Sequence, residues 1–210
     1  KIHRKFPASN RRRMKEQVYL LEQFDDIKIL RYDVPAFEGL TLREKLFVYY
    51  LGRAALAGRD ILWDQNNKYN LRVREALESI LRAYQGSRET EEFQAFLVYA
   101  KKVFFANGVH HHYSMEKFIP SFTPEYFKSL LREVGAEQLY EEVERVIFDP
   151  EYMAKRVVLD EGKDLVQASA NHYYENVTQE EVESYYREKK KENEFVSWGL
   201  NSTLVRDGQG

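Results

Sequence analysis

The 210-residue sequence contains no cysteine, which removes any disulfide framework, any thiolate nucleophile and any thiolate metal ligand. That absence leaves the compartment open between cytoplasm and bacterial periplasm, because a chain of this length buries roughly 70% of its unfolded surface without needing staples. No run of about 18 apolar residues occurs, so no segment of the sequence reads as a membrane span. Net charge is only -2, which excludes a general electrostatic pull on nucleic acid or anionic lipid. None of the 5 histidines precedes a glutamate, so the His-Glu pair of zinc-peptidase helices is missing. A Gly-x-Ser-x-Gly elbow and a phosphate-cradling glycine loop are missing too. What is left is a globular, water-soluble module with no assignable catalytic residue and no cofactor of its own.

Charge is unevenly spread. Residues 1 to 16 hold seven Lys or Arg against Glu16, a net +6 that leaves -8 for the rest. This arm lacks the apolar stretch of an intact signal peptide, and as a terminus it reads as a solvated, poorly ordered tail. Residues 17–210 show no internal repeat and no low-complexity linker, so they read as a single mostly helical domain.

Periodicity gives the elements of that domain. Ile27, Ile29 and Tyr32 suggest a short extended segment before Val34-Pro35. Thr41 and Glu44 form a capping box ahead of the apolar run Leu46 to Leu56, which predicts a helix buried on most sides and ended or bent at Gly58. Asp60 to Asn70 is polar and aromatic and reads as a connection between helices. Val73, Ala76, Leu77, Ile80, Leu81 and Tyr84 share one helical face, and Phe93, Phe96, Leu97, Ala100, Val103 and Phe104 share another. Joined across Gln85 to Glu89, the two read as an antiparallel pair. Thr123 caps a helix opened by Pro124, with Phe122 folding onto Phe127 as a staple, and Gly135 closes it. Leu139, Val143, Val146 and Ile147 predict one more helix, stopped at Asp149-Pro150, where Asp149 caps the segment that follows. Tyr152 to Tyr174 reads as helix in preference to strand. Thr178 with Glu181, and Val177 with Val182, start a charged helix running to about Glu192. Val196, Trp198 and Leu200 alternate, and Leu204-Val205 precedes an Asp207-Gly208 hairpin turn with no return strand, as in part of a longer protein. The fold class expected is mainly α: an antiparallel helical bundle-like domain with short extended segments or a partial hairpin at its ends.

Reactive side chains concentrate in one place, Asn107-Gly108-Val109-His110-His111-His112-Tyr113-Ser114. Asn-Gly ends the preceding helix, because the residue past the last turn takes a left-handed conformation that glycine adopts freely. On an extended loop His110 and His112 would converge and His111 would not, but zinc needs one or two more ligands that nothing nearby supplies. Imidazoles that hydrogen-bond backbone groups and shape a surface are the expectation, and no metal ligand is assigned. The carboxylate pairs Glu91-Glu92, Glu141-Glu142 and Glu180-Glu181 read as solvent-facing charge.

The same run, with Lys117-Phe118-Ile119-Pro120 behind it, resembles the bacterial branch of the dipeptidyl peptidase III family of zinc exopeptidases. Upstream the resemblance includes Phe24 to Tyr32, Gly58 to Asn66 and Lys68-Tyr69-Asn70-Leu71. Downstream it includes Tyr173 to Thr178 and Gly199 to Ser202, so it spans about Gln17 to the end. The resemblance implies the N-terminal part of a larger two-lobed enzyme that removes dipeptides from the N-termini of short peptides. The family's His-Glu-x-x-x-His motif and zinc lie further downstream, so zinc belongs to the parent enzyme and this part is expected to be inactive alone. Its implied partners are the zinc-bearing C-terminal lobe of the same chain and a short peptide. Tyr113 and His112 match the family's cleft-wall pair, which other kingdoms carry as Ser-Phe. The aromatic therefore persists at Tyr113, making these two the candidate substrate-binding residues. The alternative is a non-catalytic helical protein–protein interaction module.

Overall fold

The computed structural model describes residues 19–189 and 203–208. The basic arm, the alternation of Val196, Trp198 and Leu200, and the last residues of the helix expected to reach Glu192 lie outside the described residues. The chain is mainly helical, and it divides into two compact units, Lys1–Lys45 and Leu46–Gly210. The sequence reading placed 17–210 in one domain, whereas this division falls within a helix.

In the first unit, β1 (Leu20–Phe24) pairs antiparallel with β2 (Ile27–Leu30) in a two-stranded sheet. Asp25 turns the corner at φ 50°, a left-handed conformation that short polar side chains tolerate. The predicted extended segment is thus the second arm of a hairpin. A 3-10 turn over Pro35–Gly39 leads to α1 (Leu42–Ala57). Its capping box forms as the sequence demands: Thr41 N–H donates to Glu44 Oε2 at 2.8 Å, and Glu44 N–H donates to Thr41 Oγ1 at 3.4 Å.

The second unit is built on α3 (Asn70–Ala83), which packs against α2 (Arg59–Asn66), α4 (Glu91–Ala106), α5 (Pro124–Glu133) and α6 (Gln138–Phe148). Val73, Ala76, Leu77 and Ile80 of α3 are fully buried against Phe93, Phe96 and Val103 of α4 and Phe127, Leu131, Val143 and Ile147 beyond them. Side chains of this size contribute about 1.5–3 kcal/mol each on burial, so the periodic stripes carry most of the unit's stability. Thr123 accepts from Tyr126 N–H at 3.1 Å, and the rings of Phe122 and Phe127 lie 6.0 Å apart as the staple requires. Asp149 Oδ1 accepts from the amides of Glu151 and Tyr152, the predicted cap.

Three expectations are overturned. The apolar helix α1 has no buried residue, and Phe47 and Tyr50 are 64% and 65% exposed. Hydropathy states how strongly a side chain prefers to leave water and does not supply the surface that would cover it. Second, much of the Asp60 to Asn70 connection is the helix α2. The Gly58 carbonyl accepts from Ile61 N–H and restarts the backbone ladder, and Asp60 suits a helix N-terminus. Third, Tyr152 to Tyr174 is largely irregular, its only helix being the four-residue α7 (Leu165–Ala168). Its amides find distant carbonyls, Arg156 N–H that of Met115, His172 N–H that of Gln65 and Ala170 N–H that of Lys155 fifteen residues back, and no local helical ladder forms across it. Leu204–Val205 is extended, as its sequence suggested. As β4 it pairs in parallel with β3 (Tyr174–Glu175), on either side of α8 (Gln179–Lys189).

Candidate functional site

The histidine loop is placed by a corner of asparagines between α2 and α3. Asn107 itself takes the left-handed position after α4, at φ 54°, and the Gly108 amide reaches back to Val103 O in the closing pattern of a Schellman motif. Gly108 is needed for a different reason from the one its sequence context suggests. At φ +150° it lies against the Asn70 carboxamide, with which any Cβ would collide. Asn70 is fully buried there, donating to Trp63 O at 3.0 Å and accepting from Val109 N–H at 3.1 Å. Asn66 donates to Asn107 O at 3.1 Å, and Arg59 donates to Asn107 Oδ1 at 2.8 Å. Asn67, also fully buried, donates to Ala170 O at 3.2 Å and accepts from Tyr69 N–H at 2.9 Å.

From that anchor the three histidines diverge in role. His110 turns inward, 2% exposed, with Nε2 2.8 Å from Met153 O. A carbonyl only accepts, so Nε2 carries the hydrogen and Nδ1 is a buried lone pair without a partner. Burial drives its pKa down to about 4, helped by the nearby Lys117 and Arg156 and opposed by the Met153 hydrogen bond. His111 Nδ1 accepts from the amides of Tyr113 and Ser114, at 3.1 and 3.0 Å. The His112 ring stacks on His111 at 4.5 Å and meets Phe105 edge-on at 5.0 Å. The pair brought together is therefore His111 and His112, not His110 and His112, because a tight turn replaces the extended backbone that alternation assumes. Imidazoles shaping a backbone surface are what the geometry contains.

Tyr113 stands at the tip, 84% exposed, its ring centroid 5.4 Å from that of His112 in an edge-on arrangement. The base of the loop is closed by bridges His110 to Lys117 and Glu116 to Lys155, and by an ion pair of 3.0 Å between Lys155 and Glu116. Arg156 braces it from the side. Its guanidinium donates to Asn66 Oδ1 at 3.1 Å and to Met115 Sδ at 2.8 Å, and burial lowers its pKa. Lys117 sends its ammonium inward to the carbonyls of Asp149 and Tyr152, just past the C-terminus of α6, where the helix dipole favours a cation. Burial lowers its pKa, with Asp149 opposing. Arg156, Met115 and the three asparagines were not singled out in the sequence. The one available signal was Asn66, Asn67 and Asn70 packed into five positions between helices.

A second polar cluster joins α2 to the 170s. His172 lies 3.3 Å from Asp64 through Nδ1 and 3.8 Å from Glu175 through Nε2, and Lys68 pairs with Glu175 at 2.8 Å. The Lys68 hydrogen bond lowers the Glu175 pKa, and Glu175 raises that of Lys68. Lys68, His172 and Glu175 border a cavity of about 280 Å³. Through Asp64–His172, His172–Glu175 and Lys68–Glu175 the cluster ties α2 and the turn after it to the 170s.

Within the loop, His110 Nε2 and His111 Nδ1 are engaged with backbone groups. Among the described residues no group of three or more His, Asp or Glu is placed to hold a metal ion, and no helix is long and apolar enough to cross a membrane. Tyr113 is thus the exposed ring of a loop whose base and flank are hydrogen-bonded. No protein-family model matches the chain, and no curated protein matches it.

Proposed function

We propose that this chain is the N-terminal, zinc-free portion of a dipeptidyl peptidase III-like metallopeptidase, whose Tyr113 and His112 form part of the wall along which a short peptide binds. The parent enzyme's zinc, carried by the C-terminal lobe, supplies the activation of water. This chain's residues bind and orient, and the portion is inactive alone. One observation carries the reading: a tyrosine 84% exposed at the tip of a loop whose base and flank are bonded throughout. Carrying a large ring on a loop already hydrogen-bonded at its base and flank spares the backbone part of the ordering entropy when a ligand side chain lands on it.

The test has two arms. The purified 210-residue chain should release no dipeptide from a dipeptidyl-arylamide, with or without added zinc, and turnover that co-purifies through every step would overturn the reading. In the complete gene product, Tyr113→Ala should raise KM about tenfold with kcat nearly unchanged, because it removes binding surface and no reacting group. A loss confined to kcat would contradict the role.

The exposed apolar surface of α1 favours a second reading, a helical protein–protein interaction module. A gene product that lacks peptidase activity while binding a partner through α1 would select that reading.

A further inference from the structure

The loop has six backbone amides from His111 to Glu116, and His111 is party to four of the hydrogen bonds that close it. Its Nδ1 takes the amides of Tyr113 and Ser114, its carbonyl takes Met115 N–H at 3.1 Å, and its own amide donates to Glu116 O at 2.7 Å. Two N–H donors aimed at one ring nitrogen require a lone pair there, so the imidazole is the tautomer with hydrogen on Nε2. Nδ1 stands the same number of bonds from Cα as the side-chain oxygen of asparagine, and it accepts from the amides two and three residues on, as an Asx-turn oxygen does. The ring is held in place by stacking on His112 and by the edge of Phe118, whose centroid is 5.8 Å away.

We propose that His111 is the positioning residue for Tyr113: its Nδ1 acts as the cap of the turn that carries the exposed ring, and its side chain does not itself touch the peptide. The consequence for peptide binding rests on the reading of Tyr113 given above, whereas the turn itself does not.

Three substitutions separate the lone pair from the ring. His111→Asn keeps an acceptor at the Nδ1 position and loses the ring, His111→Phe keeps the ring and loses the acceptor, and His111→Ala loses both. Amide hydrogen exchange of Tyr113 and Ser114 in the 210-residue chain should be slow in the parent and in His111→Asn, and about tenfold or more faster in His111→Phe and His111→Ala, in line with the loss of two hydrogen bonds. Nitrogen NMR of the His111 ring should show Nδ1 unprotonated and Nε2 protonated. Unchanged exchange in His111→Phe, or a proton on Nδ1, would overturn the proposal, and recovery by Phe but not Asn would show that packing alone shapes the turn. In the complete gene product the KM for a dipeptidyl-arylamide should rise in His111→Phe and recover in His111→Asn. If exchange follows this pattern while KM is unmoved, the turn cap stands and the peptide-wall reading of Tyr113 falls.

Discussion

His110 shows how one buried ring makes stability depend on pH. Unfolded, its imidazole takes a proton near 6.5; folded, burial delays this to about 4. Between those values the unfolded state binds the proton that the folded state refuses, so the stability present above pH 6.5 drains away as pH falls towards 4. Urea unfolding at pH 7 and pH 4 should show the parent losing about 3 kcal/mol more than His110→Gln, whose amide keeps a donor for Met153 O and does not titrate. Equal losses would show that the ring is not held neutral. The histidine run announced backbone-bonding imidazoles, but which ring turned inward was not legible. That choice depends on Met153, 43 residues away in sequence, lying where only His110 reaches it.

Elements defined by near neighbours were legible. The boxes at Thr41 and Thr178, the Thr123-Pro124 start and the Asp149 cap involve groups three or fewer residues apart, and all four formed. The end of α4 was legible in place but not in cause, since what demands glycine at 108 is Asn70 on another helix. Gly108→Ala should therefore cost more than a turn glycine usually does. Displacing Asn70 would orphan Val109 N–H and leave Trp63 O with only the Asn67 amide as donor, for a loss of about 1–3 kcal/mol in chemical denaturation. Between helices, the contrast of α1 with α3 gives a further expectation. Leu77→Ala should cost about 2–5 kcal/mol, because it opens a cavity in the core. Phe47→Ser should shift stability by less than about 0.5 kcal/mol, because its ring is already in water.

At the scale of the whole molecule, an apolar helix with no buried residue leaves large hydrophobic side chains in contact with water. The folded 210-residue chain should bind an environment-sensitive apolar dye before any unfolding begins, and Phe47→Ser with Tyr50→Ser should weaken that binding without moving the urea midpoint. A chain that binds no dye while native would mean that α1 is covered after all. The amino-acid order by itself determined the mainly helical class, the faces of α3 to α6 and most caps, because these follow from spacings within one or two helical turns. Only the tertiary structure decided that α1 lies bare, that Tyr152 to Tyr174 takes long-range hydrogen bonds instead of coiling, that β4 joins β3, and that His111 underlies Tyr113. Each of these depends on what distant residues place beside a segment, and local periodicity carries no term for that.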